Sequence, residues 1–150
     1  MTTRKLGLMV SLVAFCAASF LLVTASPVLI LPAIESFEMP WGTLITWIGM
    51  LSLPSLVYFV FPGLMDPKTR FQRILKWLWM LSLIFAVFWP FFSFFLAGNW
   101  SYNFRGQEEF RGSSRASAYF WDLTKGTAIF PLLVFLGILL ERFISRSKEK

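Results

Sequence analysis

Four long apolar runs dominate the pattern of hydrophobic and polar positions along this chain. None of them has an ionisable side chain at its centre, and they cover Leu6–Leu31, Leu44–Leu64, Leu78–Ala97 and Thr127–Leu140. A helix needs ~20 mostly apolar residues to cross the core of a bilayer. The pattern therefore predicts an all-α integral membrane protein, with four transmembrane helices over approximately residues 6–31, 44–64, 74–97 and 118–143.

Composition supports a single membrane domain over residues 1–150. Hydrophobic residues make up 57% of the chain, and four spans leave no room for a separate soluble core. The first run is longer than the apolar part of a signal peptide, so we interpret it as a retained transmembrane helix. The connections are predicted to be short, except for a longer outer loop over about residues 99–117.

The distribution of basic residues predicts the orientation of the four helices. Ten of the 14 Lys and Arg residues lie in the N-terminus, the second connection and the C-terminal tail. Cytoplasmic segments of bacterial membrane proteins collect Lys and Arg, so both termini are predicted to be cytoplasmic at the bacterial inner membrane. Basic residues at helix ends meet anionic lipid headgroups. A nucleic-acid partner would need a basic face on a soluble domain, and is not expected.

The residue inventory removes several kinds of chemistry. The chain has no histidine and only one cysteine, Cys16, which lies inside the first apolar run. Histidine-based haem, metal sites and acid–base catalysis are therefore excluded, and so is an intramolecular disulfide. The serines have no histidine or membrane-embedded lysine to activate them. The sequence thus predicts no catalytic residue, no metal and no cofactor, and a protein that is not an enzyme.

The third span is unusually aromatic, and Trp89 and Phe92 are its candidate contact residues. Such a helix is able to bind a pigment, a quinone, a lipid tail or the helices of a partner protein. The alternative is that the rings simply face lipid. Because the rings surround every side of the helix rather than one stripe, lipid-facing bulk is the favoured interpretation.

The third connection contains the sequence Phe-Arg-Gly twice, six residues apart. In an extended chain this spacing returns to the same face, so Phe104 and Phe110 are predicted to enter the membrane interface. Arg105 and Arg111 would then meet a lipid phosphate or a partner carboxylate. These four residues are the predicted partner or lipid contacts.

The start of the fourth span contains two residues of opposite charge. Asp122 and Lys125 are three positions apart and so lie on one helical face, where they are predicted to form an ion pair near the helix end. This pair is the nearest approach to a polar site within the predicted spans.

Three functions remain open at this stage. The leading hypothesis is a non-catalytic accessory or assembly subunit of a larger inner-membrane complex, whose partners are other integral membrane subunits and lipids. The first alternative is a small homo-oligomeric transporter or channel, with helix breaks at Pro54, Pro90 and Pro131. In span number and short loops the chain also resembles colicin immunity proteins, which would imply a protein that blocks a pore-forming toxin in the membrane.

Overall fold

Four long helices build the molecule. The computed structural model describes residues 3–102, 104 and 110–148, with side chains described up to residue 144. Within this part of the chain the helices are α1 (Thr3–Val23), α2 (Trp41–Val60), α3 (Arg70–Ala97) and α4 (Ser114–Lys148). Each is long and apolar enough to cross a membrane. The prediction of four membrane-spanning helices is therefore confirmed at the level of helix number, length and composition.

The helices form two pairs. α1 packs mainly on α2 and α3 packs on α4, while α2 also contacts both helices of the second pair. At one end, which we name the termini end, the Arg4 guanidinium Nε donates to the carbonyl of Phe59 at 2.8 Å. At the same end the Gln72 amide donates to the Glu141 carboxylate, also at 2.8 Å. The opposite end carries residues 24–40, 98–102, 104 and 110–113, and we name it the cap end.

The first two helices depart from their predicted boundaries. α1 ends at Val23 rather than at Leu31, because the backbone turns through Ala25 at φ 47°. A short 3-10 helix, Pro27–Ile30, follows the turn. α2 begins at Trp41, directly after the extended residue Pro40. A proline that sets φ and has no N–H suits the position before a helix.

The last two helices begin with side-chain caps. Thr69 and Gln72 form a reciprocal capping box at the start of α3, in which the Gln72 N–H donates to Thr69 Oγ1 at 3.1 Å. At the start of α4, Ser113 Oγ accepts from the N–H of Ala116 at 3.2 Å. Both helices therefore begin earlier than the predicted spans at residues 74 and 118, since polar capping residues extend them beyond the apolar runs.

A small hairpin lies between α1 and α2 at the cap end. Strand β1 (Pro32–Ile34) pairs antiparallel with strand β2 (Met39–Pro40), and the 3-10 turn Glu35–Phe37 joins them. Glu38 closes the turn in the left-handed conformation, at φ 53°. The first connection is therefore an ordered element rather than a plain linker.

The three helix-interior prolines lie in the core of the molecule. Pro54, Pro90 and Pro131 are all buried inside helices that continue on both sides of them. Trp79 Nε1 donates to the carbonyl of Pro54 at 2.8 Å, and Tyr102 Oη donates to the carbonyl of Pro90 at 2.7 Å. Two of the prolines thus supply carbonyls that accept hydrogen bonds, Pro54 from a neighbouring helix and Pro90 from the third connection.

Two apolar clusters fill the space between the helices. The cluster near the termini end contains Val57, Trp79 and Val134. The cluster near the cap end contains Trp89 and Phe120 among its buried members. Both clusters join α3 and α4, and they leave most of α1 exposed on the outside of the molecule.

Candidate functional site

The two connections at the cap end are tied to the helices by hydrogen bonds. Thr43 Oγ1, on the first turn of α2, donates to the carbonyl of Trp100 at 2.5 Å. The N–H of Trp41 donates to the carbonyl of Leu31 at 2.9 Å, and that of Arg111 to the carbonyl of Ala97 at 2.9 Å. Residues from three separate segments therefore form one ordered surface.

The phenylalanines of the repeated Phe-Arg-Gly sequence fold back onto the protein. The ring of Phe104 covers Gly42, where an added Cβ would lie 2.5 Å from a ring carbon. Phe110 packs edge-on against Phe120, with ring centroids 5.7 Å apart. Both side chains are half-buried. Arg105, the arginine of the first Phe-Arg-Gly sequence, lies outside the described residues.

A cleft of about 440 Å³ opens between the hairpin and the third connection. Its polar character comes from Glu38 and Arg111, both exposed and of opposite charge, and its apolar character from Phe37 and Trp100. The remaining lining residues are Ser36, Phe94, Gly98, Asn99 and Ser101. The cleft is thus an amphipathic surface that presents both a cation and a carboxylate, suited to a polypeptide segment or a zwitterionic lipid headgroup.

Tyr102 holds the cap onto the helices, and sequence reasoning did not find it. Its side chain is 1% exposed, and its backbone has a positive φ of 50°. The ring lies 5.5 Å from the ring centroids of both Trp89 and Phe120. Burial raises the pKa of the Tyr102 phenol, so the hydroxyl remains protonated and able to donate to Pro90. Nothing in the sequence around Tyr102 distinguishes it from the neighbouring aromatic residues.

The aromatic residues of α3 divide between the core and the surface. Trp89 was predicted as a partner or lipid contact, but it is 1% exposed and its Nε1 donates to Thr124 Oγ1 at 3.0 Å. It is therefore a core residue that joins α3 to α4, because a buried indole N–H needs an acceptor. Phe92 is 45% exposed and lies on the outer surface beside Phe88.

An apolar groove runs along the outside of the molecule between α3 and α4. Two neighbouring clefts of about 420 and 350 Å³ share Phe85 and Leu123 and together form it. The other lining residues are Leu81, Phe92, Phe95, Leu96, Tyr119, Gly126, Thr127, Ile129, Phe130 and Leu133. An added Cβ at Gly126 would meet nothing within 4 Å, so the surface of α4 is open at this position.

Asp122 and Lys125 lie on α4 beside this groove. Both side chains are exposed, as is the neighbouring Gly126. Their predicted ion pair with each other stays a prediction.

The described interior contains hydroxyl groups and no acidic or basic side chain. Three of these hydroxyls donate to the backbone of their own helix: Ser52 to Gly49, Ser82 to Trp79 and Thr127 to Leu123. Ser93 Oγ has no hydrogen-bond partner. In the part of the chain that the structure describes, no group of three or more acidic, histidine or cysteine residues is placed to hold a metal ion.

The fold and these surfaces define a small four-helix protein of the membrane-spanning type, with an ordered cap at one end. Comparisons of the chain with protein-family models, with curated proteins and with solved structures find no match. What the protein does must therefore be argued from its own surfaces.

Proposed function

We propose that this chain is a non-catalytic accessory or assembly subunit of a larger protein complex in the bacterial inner membrane, with both termini cytoplasmic. Its partners are other integral membrane subunits and membrane lipids. The cap end then faces away from the cytoplasm and presents its cleft to a partner on that side.

The ordered cap is the observation that carries this proposal. A connector between helices needs no more than a few solvated residues. Here the third connection is fixed to the helices by the bonds of Thr43 with Trp100 and of Tyr102 with Pro90, and the first connection by the bond from Trp41 to Leu31. The result is a rigid cleft with exposed Glu38 and Arg111 at its edge. A surface that is already ordered loses little conformational entropy on binding, so such a cleft favours stable protein contacts.

The helix interior supports a structural role more than transport. A transport path needs polar groups that face one another across a cavity. The hydroxyls of Ser52, Ser82 and Thr127 bond their own helices, and α2, α3 and α4 continue through their prolines. A homo-oligomeric transporter or channel therefore remains the second candidate. Its transport path would run between copies of the chain rather than through one copy. Proteoliposomes assayed for ion and solute flux test it, and flux by the purified chain alone would replace the subunit proposal.

The subunit proposal is tested by photo-crosslinking from the cleft in intact membranes. A photoreactive side chain at Phe37, which is 61% exposed at the cleft, should give a crosslinked product of fixed mass. The same group at Phe20, which is 67% exposed on α1, is the control for non-specific contact. We expect a discrete protein partner from position 37 and only diffuse lipid adducts from position 20.

The cleft arginine supplies a matched pair of variants. Arg111→Gln removes the cation from the cleft, whereas Arg115→Gln removes an exposed cation at the second residue of α4, outside the lining of the cleft. Loss of a charge-assisted hydrogen bond should lower recovery of the partner by roughly tenfold for Arg111→Gln. Adding Arg105→Gln should lower recovery further without affecting insertion into the membrane. Equal recovery with all variants, or a chain that purifies alone under gentle solubilisation, would contradict the proposal.

A further inference from the structure

The depth of Asp122 and Lys125 along α4 is the starting observation. They are eight and eleven residues beyond Ser114, the first residue of α4. At 1.5 Å per residue, they lie ~12 and ~16 Å along the helix from its cap end. A bilayer core is ~30 Å thick. The helix length alone therefore carries both side chains well below the cap end.

The contact between α3 and α4 gives a second measure of that depth. Thr124, between the two charged residues, accepts a hydrogen bond from Trp89 on α3. Trp89 lies eight residues before Ala97, the last residue of α3, and thirteen residues after Lys76 near the termini end. These separations correspond to ~12 Å and ~20 Å of helix. With the ends of α3 and α4 at the cap end taken as the membrane boundary, both measures place the pair within the bilayer core.

The exposure of the pair makes this depth significant. Asp122, Lys125 and Gly126 are all exposed, and Ile129 on the same face is 52% exposed. Charged side chains within a membrane normally face the interior of a bundle or a partner, because lipid cannot solvate them. Even with an ion pair between Asp122 and Lys125, this face is left open to lipid in a single copy of the chain.

The charge pattern of the face selects its partner. One turn away from Asp122 on α4 are Ala118, Tyr119, Lys125 and Gly126, so Lys125 is its only charged neighbour at that spacing. Two residues of opposite charge, three apart on one face, are complementary to a copy of themselves. In a parallel pair related by a two-fold axis, Asp122 and the partner's Lys125 are offset by ~4.5 Å along the axis. The four-carbon stem of lysine spans this offset.

We propose that this α4 face is the docking site for a second copy of the chain in the membrane. The two α4 helices lie parallel, Asp122 of each copy pairs with Lys125 of the other, and the two Gly126 residues face each other. Small residues let transmembrane helices approach closely, and Gly126 has the open surface that such a contact needs. This inference rests on the proposed function, since it assumes that the chain acts within an assembly.

Disulfide crosslinking between copies tests the contact directly. In a Cys16→Ala background, Ile129→Cys should give a dimer upon oxidation, because facing cysteines crosslink only within ~7 Å between Cα atoms. Val13→Cys, on an exposed part of α1, is the matched control and should not crosslink. A dimer equally abundant from both positions would mean random collision and would overturn the proposal.

Gly126 offers a variant that leaves the single chain intact. Gly126→Leu meets no neighbour within the chain but should keep two α4 helices apart, and so reduce the Ile129→Cys dimer by about tenfold. Gly63→Leu is the matched control, since an added Cβ there also meets nothing within 4 Å and Gly63 lies at the termini end. An undiminished dimer with Gly126→Leu would overturn the proposal.

Charge reversal identifies the pairing itself. Asp122→Lys alone and Lys125→Asp alone each place like charges across the two-fold axis and should abolish the dimer. The two variant chains expressed together are complementary and should restore it. Failure of this rescue, with both chains present in the membrane, would overturn the pairing.

The same crosslinking separates this inference from the proposed function. A product between Ile129→Cys and a different protein would overturn the second-copy proposal while supporting the subunit proposal. A dimer through Ile129→Cys with no partner at the cleft would support the second copy and contradict the subunit proposal.

Discussion

Replacing Tyr102 with phenylalanine isolates one buried hydrogen bond between the cap and α3. The ring stays between Trp89 and Phe120, and only the 2.7 Å bond from the hydroxyl to the carbonyl of Pro90 is lost. A buried hydrogen bond contributes about 1 kcal/mol net. Tyr102→Phe should therefore lower the free energy of unfolding by about 1 kcal/mol. Tyr119→Phe, at a tyrosine that is 58% exposed, should leave it unchanged.

The pH dependence gives this prediction a second readout. Burial raises the pKa of Tyr102 in the folded protein, whereas an unfolded tyrosine titrates near pH ~10. Above that pH the unfolded state loses the proton that the folded state keeps, so stability falls as pH rises. Tyr102→Phe lacks this titration. We expect the stability difference between wild type and variant to shrink as pH increases above about 10.

Unfolding by SDS in mixed micelles provides the measurement. The seven tryptophans give a fluorescence signal for unfolding, and one of them, Trp89, lies against Tyr102. The reasoning is refuted if Tyr102→Phe and Tyr119→Phe have the same stability at neutral pH. It is also refuted if the difference between wild type and Tyr102→Phe is constant through the alkaline range.

Two further predictions concern the cap and the orientation. Gly42→Leu should displace the Phe104 ring and destabilise the cap by about 1–3 kcal/mol. The assay is proteolysis after residue 104, which should become faster. Gly63→Leu is the control and should be unaffected. Equal proteolysis of both variants would show that the contact between the Phe104 ring and Gly42 does not stabilise the cap. Neutralising the basic second connection should disturb the orientation of the chain in the membrane without weakening the cap. Reporter fusions at the C-terminus measure this orientation. A uniform orientation in the variant would contradict the assignment of cytoplasmic termini. The residues changed are Lys68, Arg70, Arg73 and Lys76.

The sequence was sufficient to predict the helices but not the structure of their connections. Apolar length fixes the number of spans, since each span must satisfy its backbone internally. The connections depend on contacts between distant residues, such as Thr43 with Trp100 and Phe104 with Gly42. No local periodicity encodes these contacts. This is why the sequence did not predict the contacts of Phe104 and Phe110 with the protein, while the prediction that they enter the membrane interface stays a prediction.

The location of Trp89 was wrong in the prediction for a related reason. In a water-soluble helix the polar face marks the outside, but in a membrane helix both faces are apolar. Trp89 and Phe92 are therefore indistinguishable by hydrophobicity. The distinguishing feature is the indole N–H, which requires an acceptor and finds one in Thr124.

Polar residues are consequently the informative ones in a chain of this kind. Lipid tails and partner helices are equally apolar, so an exposed Leu or Phe on α1, α3 or α4 does not show which of the two it contacts. A charge that is exposed at membrane depth indicates contact with a partner rather than with lipid tails, because only a polar partner can solvate it. Asp122 and Lys125 are exposed on α4, and the proposed contact between copies takes them to lie at this depth. If the protein recognises another helix inside the membrane, the specificity of that recognition is expected at these two residues rather than on the aromatic surface of α3.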